Sequence, residues 1–157
     1  MSRQIKNIIA ITVFLICISL INVAGQNIEI EIRGMNAFTF ILIIAVLLQV
    51  IFFIPSFLLK TEKYYDLVGS LTYVTTVSLA YFAVENKTMI DSIIYFYVMV
   101  WALRLGIYLF RRVRNDGKDV RFEKAKRHFL WFLQYWMGQA LWVSLTACAA
   151  IIAILSP

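Results

Sequence analysis

Apolar residues fall in five long blocks, separated by short polar or charged stretches. The blocks are Asn7 to Ala24, Ala37 to Leu59, Leu67 to Val84, Ser92 to Phe110, and a fifth within His128 to Leu155. A helix of about 20 apolar residues crosses the roughly 30 Å hydrocarbon core of a bilayer. The pattern therefore predicts five transmembrane helices, at about 7–24, 37–59, 67–84, 92–110 and 130–155. Together they make one all-α polytopic bundle, a single transmembrane domain over residues 1–157. The first block also resembles a signal peptide, with a basic start and Val23-Ala24-Gly25 as a loose cleavage site. Its length and the further spans favour a membrane helix. Pro55, near the end of the second block, predicts a kink or the exit of that helix, because proline cannot donate a backbone hydrogen bond.

Composition supports the same class. The chain of 157 residues is 62% hydrophobic, above the half or so usual in soluble domains. The formal charge of +6 does not point to nucleic acid, because the basic residues flank the apolar blocks. Twelve of the fifteen lie in the N-terminal segment, the 60–66 loop and the 111–127 loop, whereas the other two loops carry only Arg33 and Lys87. Five crossings place the three rich segments on one side. Loops rich in Lys and Arg face the cytosol, so the N-terminus is expected there and the C-terminus opposite. Cys17 and Cys148 lie inside apolar blocks and read as buried hydrophobic residues. His128 is the only histidine, which excludes a multi-histidine metal site within one chain. The sequon Asn86-Lys87-Thr88 lies so close to the membrane that glycosylation is not expected.

Polar residues inside the blocks are the candidates for chemistry. A charge within a span costs several kcal/mol unless it is paired, snorkels or faces water. Arg104 is such a charge, and Tyr97, Trp101, Arg104 and Tyr108 share one helical stripe. The stripe reads either as an interfacial packing face or as the wall of a substrate cavity. The fifth block carries a matching stripe of Tyr135, Gln139, Trp142 and Thr146, with Gln134 near its start. Neutral amides in a membrane need partners, so Gln49 and Gln139 are expected to bond each other or a polar headpiece on an apolar ligand. Tyr73 belongs to the third block, whose Ser, Thr and Tyr residues suit either a central packed helix or a polar cavity wall. In the basic loop, Arg111, Arg112, Arg114, Lys118 and Arg121 supply donors for phosphate oxygens, beside the plainer roles of setting topology and meeting anionic lipids. Asp116-Gly117 marks a turn, after which Asp119 and Arg121 are placed to pair.

Four stretches, in order, carry a resemblance. They are E-K-Y-Y-D-L-V-G-S-L-T-Y at 62–73, W-A-L-R-L-G-I-Y-L-F-R-R-V at 101–113, G-K-D-V-R-F at 117–122 and F-L-W-F-L-Q-Y-W-M-G-Q-A-L-W-V at 129–143. Over about residues 36–157 the chain resembles the steroid 5-alpha-reductase-like membrane proteins, in the branch whose domain is labelled as of unknown function. The resemblance implies NADPH-dependent reduction of a carbon–carbon double bond in a sterol-like or fatty enone, with cofactor phosphates at the basic cytosolic loop. It also implies residence in the endoplasmic reticulum of a eukaryote, or otherwise in an inner membrane. Family members continue for about as long again, through an acidic segment and an Arg-His-Pro-Asn-Tyr-like block to which most of the cofactor site is attributed. The expectation is therefore the N-terminal half of such a protein, without that part of the site. Its expected partners are membrane lipids, an enone ligand, and a second copy or another membrane protein. The alternative is a non-enzymatic helical membrane protein that packs on a partner or on itself through its Ser/Thr-rich third helix. A small transporter is disfavoured, since the spans lack an ion-coupling carboxylate.

Overall fold

A computed structural model of the protein describes residues 2–116 and 120–156. Five α-helices stand among the described residues: α1 (Arg3–Val23), α2 (Ala37–Leu58), α3 (Tyr65–Ala83), α4 (Met89–Asp116) and α5 (Phe129–Leu155). A two-stranded antiparallel hairpin, β1 (Glu31–Ile32) and β2 (Met35–Asn36), lies between α1 and α2. Short 3-10 turns at Val120–Phe122 and Ala125–Arg127 lead into α5. The protein is an all-α bundle, as the apolar blocks predict.

The helices follow the blocks closely, with one difference. α4 was expected to end near Phe110 and give way to a loop, but it continues through Asp116. Arginine is a good helix former, so the backbone ladder begun in the apolar segment runs on past it. Arg111 and Arg112 therefore project from a helix. α2 retains Pro55 in its last turn and ends at Leu58. Beyond it, Lys60 adopts a left-handed φ of 50° while Thr61 N–H reaches the Ser56 carbonyl at 2.9 Å and Lys60 N–H the Phe57 carbonyl at 3.2 Å. These are the bonds of a Schellman cap, with lysine where glycine is usual.

α1, α2, α5 and the Met89–Val113 part of α4 are long and apolar enough to cross a membrane. α3 falls short of that apolarity, yet it packs against α2, α4 and α5. Its hydroxyls are used inside the bundle. Thr72 Oγ1 donates to the Val68 carbonyl at 2.7 Å and accepts from Gln49 Nε2 at 2.8 Å, and Thr76 Oγ1 donates to the Thr72 carbonyl at 2.8 Å. Ser70 Oγ donates to the Ala102 carbonyl of α4 at 2.6 Å. Gly106, one turn on, sits so close to Ser70 that a β-carbon there would collide with it. Ala102 and Gly106 thus form the small-residue seam on which the two backbones approach. α5 is the other centre of the bundle, packed on α1, α2 and α3.

Three contacts gather the basic segments at one end. The Arg3 guanidinium lies 4.6 Å from the centre of the Trp131 ring. Lys126 Nζ meets Glu62 at 2.7 Å, and Arg112 meets Asp66 at 3.5 Å. The start of α1, the α2–α3 loop and the segment before α5 therefore share a face, as the alternation of charge requires. Phe122 pins the basic segment there. It is fully buried, with its ring 4.7 Å from Tyr65 and 4.9 Å from Tyr135. At the opposite end, Arg33 and Gly34 take φ values of 54° and 75°, the consecutive positive angles of a two-residue hairpin turn. Asn36 fastens this hairpin. Its Nδ2 donates to the Ile28 carbonyl at 2.8 Å and the Gly25 carbonyl at 3.1 Å, while its Oδ1 caps α2 by accepting from Thr39 N–H at 3.0 Å.

Candidate functional site

α4 leans mainly on α3 and touches α5 little. The space left between α3, α4 and α5 is a cleft of about 500 Å³. α3 contributes Asp66, Gly69, Ser70 and Tyr73, which share a face at helical spacing. α4 contributes Trp101, Leu105 and Leu109, about one residue per turn. α5 contributes Tyr135, Gly138, Gln139 and Trp142, and Arg121 lies at the mouth, at the basic end of the bundle. Trp101 and Trp142 line the cleft and are also exposed on the outer surface. Both therefore stand at a lateral opening between α4 and α5.

Most of the lining is apolar, and its polar groups are held in defined positions. Tyr65 Oη donates to the Tyr135 carbonyl at 2.9 Å. The Tyr73 and Thr146 hydroxyls bond each other, and the edge of Trp101 meets the Tyr73 ring at a centroid distance of 4.9 Å. Gln139 lies against Gly69, where a β-carbon would overlap its amide nitrogen. The Gln139 amide oxygen is buried without a hydrogen-bond partner among the described residues. A buried amide oxygen in that state is costly, and a donor on a bound molecule would relieve it. At the mouth, the Asp66 carboxylate is nearly buried and sits 3.5 Å from Arg112 and 3.7 Å from Arg121. One acid on α3 thereby joins the end of α4 to the basic segment before α5.

The cleft brings together Tyr73, Trp101, Tyr135 and Gln139, with Arg121 at its edge. The α5 stripe is oriented as its spacing predicts. Of the α4 stripe, Trp101 alone is gathered there. Tyr97 is 68% exposed and Tyr108 is 63% exposed on the outer face. Arg104 lies with Tyr108, Arg111 and Arg112 in a separate outer groove. The small seam of Ala102 and Gly106 turns to α3 instead, which rotates the aromatic and cationic stripe outward. Gln49 is fully buried, but its partner is Thr72 of α3 and not Gln139. The Arg114 side chain, Lys118 and Asp119 lie outside the described residues, and Arg121 is paired with Asp66.

Three residues important to the cleft were not singled out from sequence. Gly69 carries a signal, since glycine inside a helix usually marks close packing. Asp66 carries a weaker one, as an acid in the first turn of α3 beside a span. Phe122 is the large apolar residue in the most charged stretch of the chain.

No curated protein and no solved structure matches the chain. A family model described as a protein of unknown function (DUF1295) matches residues 52–157, a region that holds nearly the whole cleft. With more than half of its length matched, the chain belongs to that family of proteins of unknown function, DUF1295.

Proposed function

We propose that the cleft between α3, α4 and α5 binds an apolar lipid by a single polar head, as the substrate-binding part of an NADPH-dependent reductase of lipid enones. The buried Gln139 oxygen, unpartnered among the described residues, in a mostly apolar cleft open towards the bilayer carries this reading. Ligand sites in general pair an apolar lining with a few placed polar groups. Gln139 and the Tyr73–Thr146 pair are the groups placed to orient the head, and Trp101 and Trp142 flank the apolar body. The reductase chemistry rests on the resemblance of residues 62–73, 101–113, 117–122 and 129–143 to steroid 5-alpha-reductase-like proteins, and so does the choice of an enone.

NADPH fits these residues in part. Arg112 and Arg121, at the mouth, are placed to meet cofactor phosphates if they exchange Asp66 for them. No group in the cleft is assigned to the nicotinamide, so no hydride step is derived from this chain. In a eukaryote the reading places the protein in the endoplasmic reticulum, and otherwise in an inner membrane. The packing alternative draws less support, because Ser70, Thr72 and Thr76 of α3 are already bonded within the chain.

A photoactivatable 4-hydroxy sterol 4-en-3-one, whose hydroxyl supplies the donor that the Gln139 oxygen lacks, tests the binding. Cross-links are expected on peptides of α3 and α5, and the yield should fall roughly tenfold in Gln139→Leu, the size of one lost buried hydrogen bond. Labelling spread evenly over all lipid-facing helices, unchanged in that variant, would remove the cleft as the site. NADPH oxidation on adding the same enone to membranes holding the protein tests the chemistry separately.

A further inference from the structure

Arg104, Tyr108, Arg111 and Asn115 repeat at offsets of four, three and four along α4. With Ile107 and Arg112 they line an open groove of about 640 Å³ on its outer face. None of these residues lines the cleft, although Arg112 reaches Asp66 at its mouth. Arg104 stands exposed within the apolar span, and Arg111 stands exposed two turns nearer the cytosolic end. Among the described residues, neither has an acid within ion-pair distance, whereas the neighbouring Arg112 is tied to Asp66. Towards the membrane centre the same side of α4 continues as exposed Val100 and Leu103. One helix surface thus presents an apolar track that ends in two guanidinium groups with no acid beside them among the described residues.

An outward-facing arginine in a span reaches for the interface or for a counter-charge supplied by the membrane. Arg104 and Arg111 lie about 10 Å apart along the helix axis, so Arg104 extended towards the cytosol and Arg111 at the interface bracket the level of one headgroup. Tyr108, between them, is a side chain suited to that depth. We propose that this groove is a binding site for an anionic phospholipid of the cytosolic leaflet. Its phosphate sits between Arg104 and Arg111, at the level of Ile107, and its acyl chains lie along Val100 and Leu103. A guanidinium fork matches phosphate oxygens. A zwitterionic lipid carries its own compensating cation and gains less. Arg111 then serves the lipid, leaving Arg112 and Arg121 at the mouth of the cleft.

The test incubates the purified full chain in mild detergent with equal amounts of phosphatidylglycerol and phosphatidylcholine, and reads bound lipid by native mass spectrometry. Phosphatidylglycerol should be retained in preference. Arg104→Gln and Arg111→Gln should each weaken that preference roughly fivefold, and the double variant about twenty-five-fold. Arg104→Lys should fall between, and Arg33→Gln, at the other end of the bundle, should leave it intact. Equal retention of both lipids, or an unchanged preference in the double variant, would overturn the site. Displacement of the lipid by inorganic phosphate or NADPH would assign the groove to a soluble phosphate and overturn the membrane source. Melting of each variant in phosphatidylcholine checks the fold. If Arg104→Gln does not fold, Arg111→Gln, at the end of the span, decides the question.

Discussion

Asn36 shows how much one side chain can organise at a boundary. It sits between the hairpin and α2, caps the helix, and donates to two loop carbonyls, those of Gly25 and Ile28. An N-cap replaced by alanine costs about 1 kcal/mol, and each further lost hydrogen bond about as much again. Asn36→Ala should therefore destabilise the protein by about 2–3 kcal/mol, read as a lower melting temperature in detergent; an unmoved melting curve would contradict this account of the loop. From sequence the stretch Gln26 to Asn36 reads as a polar loop and no more, because three bonds from one amide depend on a turn geometry that composition does not reveal. Gln139 was legible as a polar residue in search of a partner, but its neighbour was not. Its amide fills the space that a β-carbon at Gly69 would occupy, and periodicity does not register an absence.

At the level of elements, the long apolar blocks mark every helix, since a span has a length fixed by the bilayer, but not the continuation of α4 through Asp116. Rotation about the axis was harder to read. In water the apolar face turns inward, but in lipid both faces are apolar and small residues decide the contact. The α4 stripe of Tyr97, Trp101, Arg104 and Tyr108 has the conspicuous chemistry, whereas Ala102 and Gly106 have the closeness that determines which face meets α3. The α5 stripe faces α3, with its Gln139 amide against Gly69 and its Thr146 hydroxyl on Tyr73. Gly106→Ala should force α3 and α4 apart at Ser70, at a cost of about 1–3 kcal/mol. Its melting temperature should drop more than that of Gly69→Ala, where only the end of a flexible glutamine has to move. Equal drops would mean that the Ala102–Gly106 seam is not the tight one.

For the whole molecule, the distribution of lysine and arginine predicted which loops share a face, and the contacts of Arg3, Lys126 and Arg112 gather those segments at one end. A single cysteine placed at Lys63, in a background with Cys17 and Cys148 replaced by alanine, should resist a membrane-impermeant thiol reagent applied from outside the cytosol. One placed at Gly34 should react, and the reverse pattern would invert the topology. The division of the basic surface into a cleft mouth and an outer groove was not legible, because it depends on the single carboxylate of Asp66 drawing Arg112 and Arg121 together. The gap between α4 and α5 has a consequence of its own. A molecule that reaches the cleft sideways is never a solute in water, so its mole fraction in the bilayer sets occupancy. Diluting a suspension of loaded vesicles with buffer should leave the cleft as full as before, whereas fusing them with ligand-free vesicles should empty it. The reverse dependence would mean that the ligand arrives through the aqueous mouth at Arg121.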